Sequence, residues 1–462
     1  MFEQTVWAPR AWIAGRWHEA VLLEVDRQGC WGAITSGVHA PPTAARRLAG
    51  PLLPGLVNAH SHAFQRAFAG LSERRETDAD DFWSWRDRMY RVALRITPAQ
   101  MHAVAAQLYV ELLRGGYTQV CDFHYVHHDP QGAPYADPAT MCWALADAAA
   151  DAGIGLTVLP VLYERAGFAL PTLRDDQRRF AGTPEQVYRL MRDMRDAKRS
   201  HVNAGVAIHS LRAASATSIQ QLLRLVGDAP LPIHIHVAEQ TQEVDDCVAA
   251  TGLRPIAWLC EHLAPDSRWQ LIHATHSTPA EIDAVARSGA GIVICPSTEG
   301  NLGDGLTDLN GWLSAGVPLA IGSDSHVTRN WPEELRWLEY GQRLARRQRN
   351  VAAAPALGQP SSAARLFDAA LGAGANAAGQ SSWGLVCGAR ADGLVLDPRA
   401  PALLGIPPSH SLDALVFAGS EAGFSEVLVA GQVLMRNGRH AQQDAIAERF
   451  RAVMDALWNH AS

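Results

Sequence analysis

Apolar positions in this chain fall into short, near-continuous runs, separated by longer stretches in which they recur every three or four residues. Eight of the runs read as strands: Leu53–His60, Thr118–Phe123, Gly155–Val161, Ala204–His209, Pro232–Val237, Trp269–His273, Gly291–Cys295 and Pro318–Gly322. Runs rich in consecutive Val, Ile and Leu are what parallel strands covered on both faces require. The stretches between them predict helices at Met101–Arg114, Met141–Ala152, Pro184–His201, Ser218–Val226, Glu243–His262, Pro279–Ser288 and Glu333–Arg349. Thr278-Pro279-Ala280-Glu281 and Thr183-Pro184-Glu185 have the composition of helix starts, a capping hydroxyl followed by Pro and an early acid. The Ala-rich segment Val351–Gly379 is expected to be helical and to close the barrel. Eight alternating units predict an α/β fold, a (β/α)8 TIM-like barrel over residues 50–383.

The two ends carry a different pattern. Val6–Ala14 and Ala20–Asp26 alternate, as do Asp392–Asp397 and Glu426–Leu434, the last with Ala430-Gly431 at a hairpin turn. Residues 1–49 and 384–462 are therefore expected to form one small β-sandwich domain built from both chain ends.

Polar chemistry is concentrated where the strand-like runs end. The run Leu53–Ala59 leads into His60-Ser61-His62. Side chains alternate along a strand, so the two imidazoles share a face about 7 Å apart. A lone His-x-His is weak evidence, because two histidines often share a solvated strand edge. Three more runs repeat the pattern, ending in His236 with Glu239, in His273, and in Asp324. His60, His62, His236 and Asp324 make a set of three nitrogens and one carboxylate with room for water, as a catalytic Zn2+ or Fe2+ site requires. Barrels of this type place their active sites at the C-terminal ends of the strands.

Composition narrows the class. At 462 residues the chain can bury one large core plus a small satellite. A net charge of −7 gives no case for nucleic acid or an anionic membrane. Seven cysteines without a Cys-x-x-Cys pair read as reduced thiols of a cytoplasmic protein. No signal peptide is evident, and no apolar stretch is long enough to span a bilayer.

These residues resemble the amidohydrolase superfamily over essentially the whole chain, and His236-Val-Ala-Glu239 is similar to the His-x-x-Glu of its mononuclear deaminases. Longer stretches resemble one family within it, the formimidoylglutamate deiminases of bacterial histidine degradation. They are His60–Gly70, Phe123–Asp129, His209–Arg212, Glu239–Cys247, Asn301–Gly305 and Glu333–Gln342. One departure is Ile208, where that family is expected to carry Pro.

The resemblance implies hydrolysis of N-formimino-L-glutamate to N-formyl-L-glutamate and ammonia. A metal on His60, His62, His236 and Asp324 would lower the pKa of a bound water to about 7. Asp324 would accept the water's proton, His273 would orient the nucleophile or stabilise the tetrahedral centre, and Glu239 would pair with the amidine and protonate the departing nitrogen. Arg212 and Arg86 are implied to hold the two substrate carboxylates, with Tyr125, His209 and Gln65 adding hydrogen bonds. The aromatic segment Phe82–Arg86 is expected to act as a lid. His124, His127 and His128 read as solvated or hydrogen-bonded loop groups, and neither they nor His276 or His326 are assigned to the metal.

Many binuclear amidohydrolases bridge their metals with a carboxylated lysine on the fourth strand. That run here is Ala204–Ser210 without lysine, and Lys198, on the preceding helix, is the chain's only one. One divalent ion per chain is expected, Zn2+ with Fe2+ as the alternative. The architecture suggests a homodimer acting on a small molecule. Three rival readings are a deaminase of a nucleobase or related heterocycle, a two-metal hydrolase of cyclic amides, and a metal-free scaffold.

Overall fold

A computed structural model describes residues 4–74, 82–419 and 423–458. Eight parallel strands form the barrel: Leu56–Ser61, Tyr117–His124, Gly155–Leu162, a fourth in two segments (Val202–Ala204 and Val206–Ile208), Ile233–Val237, Trp269–His273, Gly291–Ile294 and Leu319–Ile321. Each pairs with its sequence neighbour. The eighth returns to the first through a parallel bridge between Ser61 and Asp324. Nearly every strand residue is buried, because helices cover one face of the sheet and packed side chains fill the other.

Both chain ends enter one nine-stranded sheet. Gln4–Ile13, Arg16–Val25 and Trp31–Thr35 join Gly393–Leu396, Phe424–Val429, Gln432–Arg436 and Arg439–His440 through the short strand Leu52–Pro54, and the two-residue strand Arg46–Arg47 pairs with Gln4–Ile13. This sheet has its own small core, including Val6, Val21, Leu23, Trp31, Leu52 and Val395. The hairpin turn at Ala430-Gly431 forms with both residues at positive φ, 49° and 77°, the geometry a two-residue turn between antiparallel strands favours. The last helix, Gln443–Trp458, packs on the barrel helix Pro98–Arg114.

Several elements differ from the pattern-based reading. The first run divides: Leu52–Pro54 pairs in the small sheet, and only Leu56–Ser61 enters the barrel. Gly55 lies between them, where a Cβ would come within 2.3 Å of Thr118 Oγ1. The fourth strand breaks at Gly205, where a Cβ would stand 2.4 Å from Pro232 O. Glu243–His262 is two helices, Thr241–Thr251 and Pro255–Leu263, because Gly252 adopts φ 79° and Pro255 starts a new turn. The helix from Pro184 stops at Asp196, and Lys198 and His201 beyond it have positive φ. In the Ala-rich segment the α-helix covers Ser362–Ala377, preceded by a short 3-10 turn at Pro355–Leu357. The α-helix packs on the first and eighth strands, as the expected closure of the barrel requires.

Candidate active site

The strands deliver the chemistry at their C-terminal ends, where the backbone leaves the sheet abruptly. Ala238, His273 and Asp324 all have positive φ, at 53°, 69° and 45°. Non-glycine residues held there mark a site over-determined by its surroundings.

His60, His62, His236 and Asp324 converge in the structure. His60 Nε2 lies 3.0 Å from His236 Nε2 and 3.5 Å from Asp324 Oδ1, which is 3.3 Å from His62 Nε2. His62 donates Nδ1–H to Phe123 O at 2.9 Å, and His236 donates Nδ1–H to His209 O at 2.9 Å. A carbonyl can only accept, so both Nε2 atoms are bare and face the cluster. Burial lowers the pKa of all three rings; neighbouring imidazoles add to the fall at His60 and His236, while at His62 Asp324 and the bond to Phe123 O offset part of it, so the rings are neutral. Neutral, oriented imidazoles beside a buried carboxylate are the donor set a divalent cation takes, and these residues fit one. Phe123 packs against all three rings, with centroids 4.3–5.4 Å away, and keeps them in place.

Two further groups come within ligand range, His273 and Cys295. Burial pushes the Cys295 thiol well above its usual range, and the neighbouring carboxylates of Asp324, Glu299 and Glu334 add to the rise. His273 is held by acids. Its Nδ1 is 3.3 Å from Glu299 Oε1, and its Nε2 is 3.5 Å from Glu239 Oε1 and 3.8 Å from Asp324 Oδ2. Burial opposes its charge, but Glu239, Glu299 and Asp324 outweigh burial and raise its pKa to about 10. Glu239 moves the opposite way to an ordinary ion-paired carboxylate. Burial raises its pKa, Asp324 and Glu243 add to the rise, and His273 offsets part of it.

The five sequence-derived contacts Gln65, Arg86, Tyr125, His209 and Arg212 line the same cavity as His62, His236, Glu239, His273 and Asp324. Gln65 donates to Tyr125 Oη at 3.2 Å. The His209 ring packs between His236 and Tyr163, with centroids 5.1 and 4.4 Å away. Arg165 braces the loop that carries Arg212, donating to the carbonyls of Leu211, Arg212 and Ala214. Arg86 stands on a helix, Phe82–Ala93, rather than on a loop, and its guanidinium lies over Tyr90. The side chains of Phe82, Trp83 and Ser84, part of the aromatic lid segment, lie outside the described residues. His326 is structural: it bonds Ser323 Oγ and His62 O beneath the site.

The pattern-based reading gave no role to Phe123, Tyr163, Glu243, Glu299 or Asp304. Tyr163 lines the cavity one residue past the third strand, the position at which the other site residues were found. Asp304 accepts a hydrogen bond from Gln240 and sits between two glycines at φ 73° and 118°.

The pattern of the amidohydrolase family matches residues 52–434. The chain belongs to the amidohydrolase family. Its members depend on a metal ion, and the His/Asp cluster is a candidate site for one. A curated formimidoylglutamate deiminase of Pseudomonas aeruginosa is 46% identical over 453 residues, covering 98% of this chain and 99% of its own. A 5-methylthioadenosine/S-adenosylhomocysteine deaminase of Halobacterium salinarum is 27% identical, covering 88% and 86%. The crystal structure of an amidohydrolase from Brucella melitensis superposes with a TM-score of 0.93 at 41% identity, over 98% of this chain and all of that one.

Proposed function

We propose that this amidohydrolase hydrolyses N-formimino-L-glutamate to N-formyl-L-glutamate and ammonia, a step of histidine degradation. One observation carries the reading. Two arginines, Arg86 and Arg212, line the same cavity as the acid Glu239 and the His/Asp cluster, which suits a dicarboxylate bearing an amidine. The 46% identity to a formimidoylglutamate deiminase over nearly the whole of both chains supports it.

His60, His62, His236 and Asp324 would hold one divalent ion, with Zn2+ matching the imidazole-rich, four-donor set. Such an ion supplies Lewis acidity, lowering the pKa of water at the site to about 7. The protein's own groups do the rest. Arg86 and Arg212 bind the substrate carboxylates and fix the amidine carbon over Asp324. Asp324 takes a proton from the attacking water, and His273 donates Nε2–H to orient that water. Glu239 pairs with the amidinium as a carboxylate, takes the hydroxyl proton of the tetrahedral centre as the new carbonyl forms, and passes it to the departing nitrogen as the C–N bond breaks and ammonia leaves, while the proton on Asp324 returns to solvent. The raised pKa of Glu239 suits a group that must both hold and release a proton near neutrality.

The fourth strand offers no lysine to bridge two ions, which favours a single metal. The reading also takes the protein as a cytoplasmic homodimer. Among the described residues no helix is long and apolar enough to cross a membrane. Ammonia release from N-formimino-L-glutamate, measured beside a panel of nucleobases and their nucleosides, tests the assignment. Release from a nucleobase alone would transfer it to the heterocycle deaminases.

A further inference from the structure

Glu243 is a buried carboxylate in the cavity wall to which the chemistry above gives no part. It is the third residue of the helix Thr241–Thr251, whose cap, Gln240, makes no side-chain capping bond. A glutamate at this position ordinarily reaches back to the N–H of the cap residue. Glu243 reaches further. Oε1 accepts the N–H of Ala238 at 3.1 Å, and Oε2 accepts the N–H of Glu239 at 2.9 Å. Both bonds fall on the turn that carries the acid, where Ala238 is held at φ 53°. Ala238 O in turn accepts the N–H of His276 at 3.0 Å, so the turn is tied at several points.

That turn decides where Glu239 points. Its Oε1 lies 3.5 Å from His273 Nε2. Glu243 also feels the charge of Arg212, which offsets part of the cost of its burial. A single carboxylate thus links the acid's backbone to the arginine assigned to the substrate.

We propose that Glu243 is a positioning residue: it locks the Ala238–Glu239 turn and so sets the direction of the Glu239 carboxyl. The proposal rests on the reading of Glu239 as the acid. Its role is distinct from helix capping, because the bonds go to residues before the cap.

The test is a double-mutant cycle on the metal-loaded enzyme with N-formimino-L-glutamate, using Glu239→Gln, Glu243→Gln and both together. Glu243→Gln keeps the size but sets an amide N–H against one backbone N–H. It is expected to lower kcat about 10- to 100-fold, the scale on which a misplaced catalytic group is felt, with KM changed less than about 3-fold. Metal content should match the parent. In the Glu239→Gln background the same substitution should cost less than about 2-fold, because there is no longer an acid to aim. Glu243→Asp retains both acceptor atoms and should recover part of kcat. If Glu243→Gln is recovered unfolded, Glu243→Asp carries the same cycle. Equal losses in the two backgrounds, or an unchanged kcat, would overturn the proposal. Parental turnover of Glu239→Gln alone would instead strike the reading of Glu239.

Discussion

Asp324 and His60 meet twice. The backbone N–H of Asp324 donates to His60 O at 3.0 Å, and its Oδ1 lies 3.5 Å from His60 Nε2. The first bond helps close the barrel by joining its last strand to its first. The second brings the carboxylate onto the imidazole. Closing the fold and assembling the donor set are therefore one event, and a defect in one should appear in the other.

Gly322 offers a direct check of that link. A Cβ there would stand 2.7 Å from His60 Cβ and 2.8 Å from His60 O. Gly322→Ala is expected to destabilise the fold by about 1–3 kcal/mol, the usual cost of overpacking, and to weaken metal retention. Thermal unfolding and competition with a chelator measure the two effects. Lower stability with parental metal affinity would separate them.

Elemental analysis of the purified protein should find about one tightly bound divalent ion per chain, because one set of four donors converges and no bridging lysine is present. Chelation should abolish ammonia release, and Zn2+ should restore it. Two ions per chain, both needed for full activity, would refute the mononuclear site.

Glu239→Gln should keep its metal, since the carboxyl faces His273 rather than serving as a ligand, and should lose roughly 10²-fold or more in turnover. Loss of the ion from this variant would make Glu239 a ligand.

Arg212→Ala should lower kcat/KM by about 10- to 150-fold, because hydrogen bonds to charged groups are worth roughly 1.5–3 kcal/mol. Arg212→Lys should recover only part, since an ammonium cannot make the two parallel bonds of the guanidinium fork. A formimino amine lacking the carboxylate that Arg212 binds should be a poor substrate for the parent, and little worse for Arg212→Ala. Additive losses would place Arg212 on the other carboxylate and give the missing one to Arg86.

Glu299→Gln should act through His273. Glu239 is the larger source of the raised pKa of His273 and Glu299 the next, so removing one negative charge lowers that pKa without abolishing the rise. His273 is active here as a proton donor, so its contribution is present at low pH and lost as pH rises through its pKa. The alkaline limb of the kcat profile should therefore move to lower pH in the variant. An unmoved limb would mean that another group sets it.

The fold class and the residues of the candidate donor set were legible in the sequence because both rest on strong local signals. Val/Ile/Leu runs alternating with helical periods allow few architectures, and polar groups at the ends of such runs fall on one rim of a barrel. That rim holds His60, His62, His236, His273 and Asp324, and Arg86, Arg212, Tyr125, His209 and Gln65 line the same cavity. What the sequence left open depends on contacts between segments distant along the chain. The break at Gly55 exists because Thr118 fills the space beside it, and nothing within Leu53–His60 announces that. The pKa values of Glu239 and His273 follow from burial and from each other, so neither is a property of its local sequence. Glu299 and Glu243 look like ordinary helix acids in the sequence. Only the folded chain turns one onto His273 and the other onto the backbone of Glu239, because charge, burial and distance are set by tertiary packing.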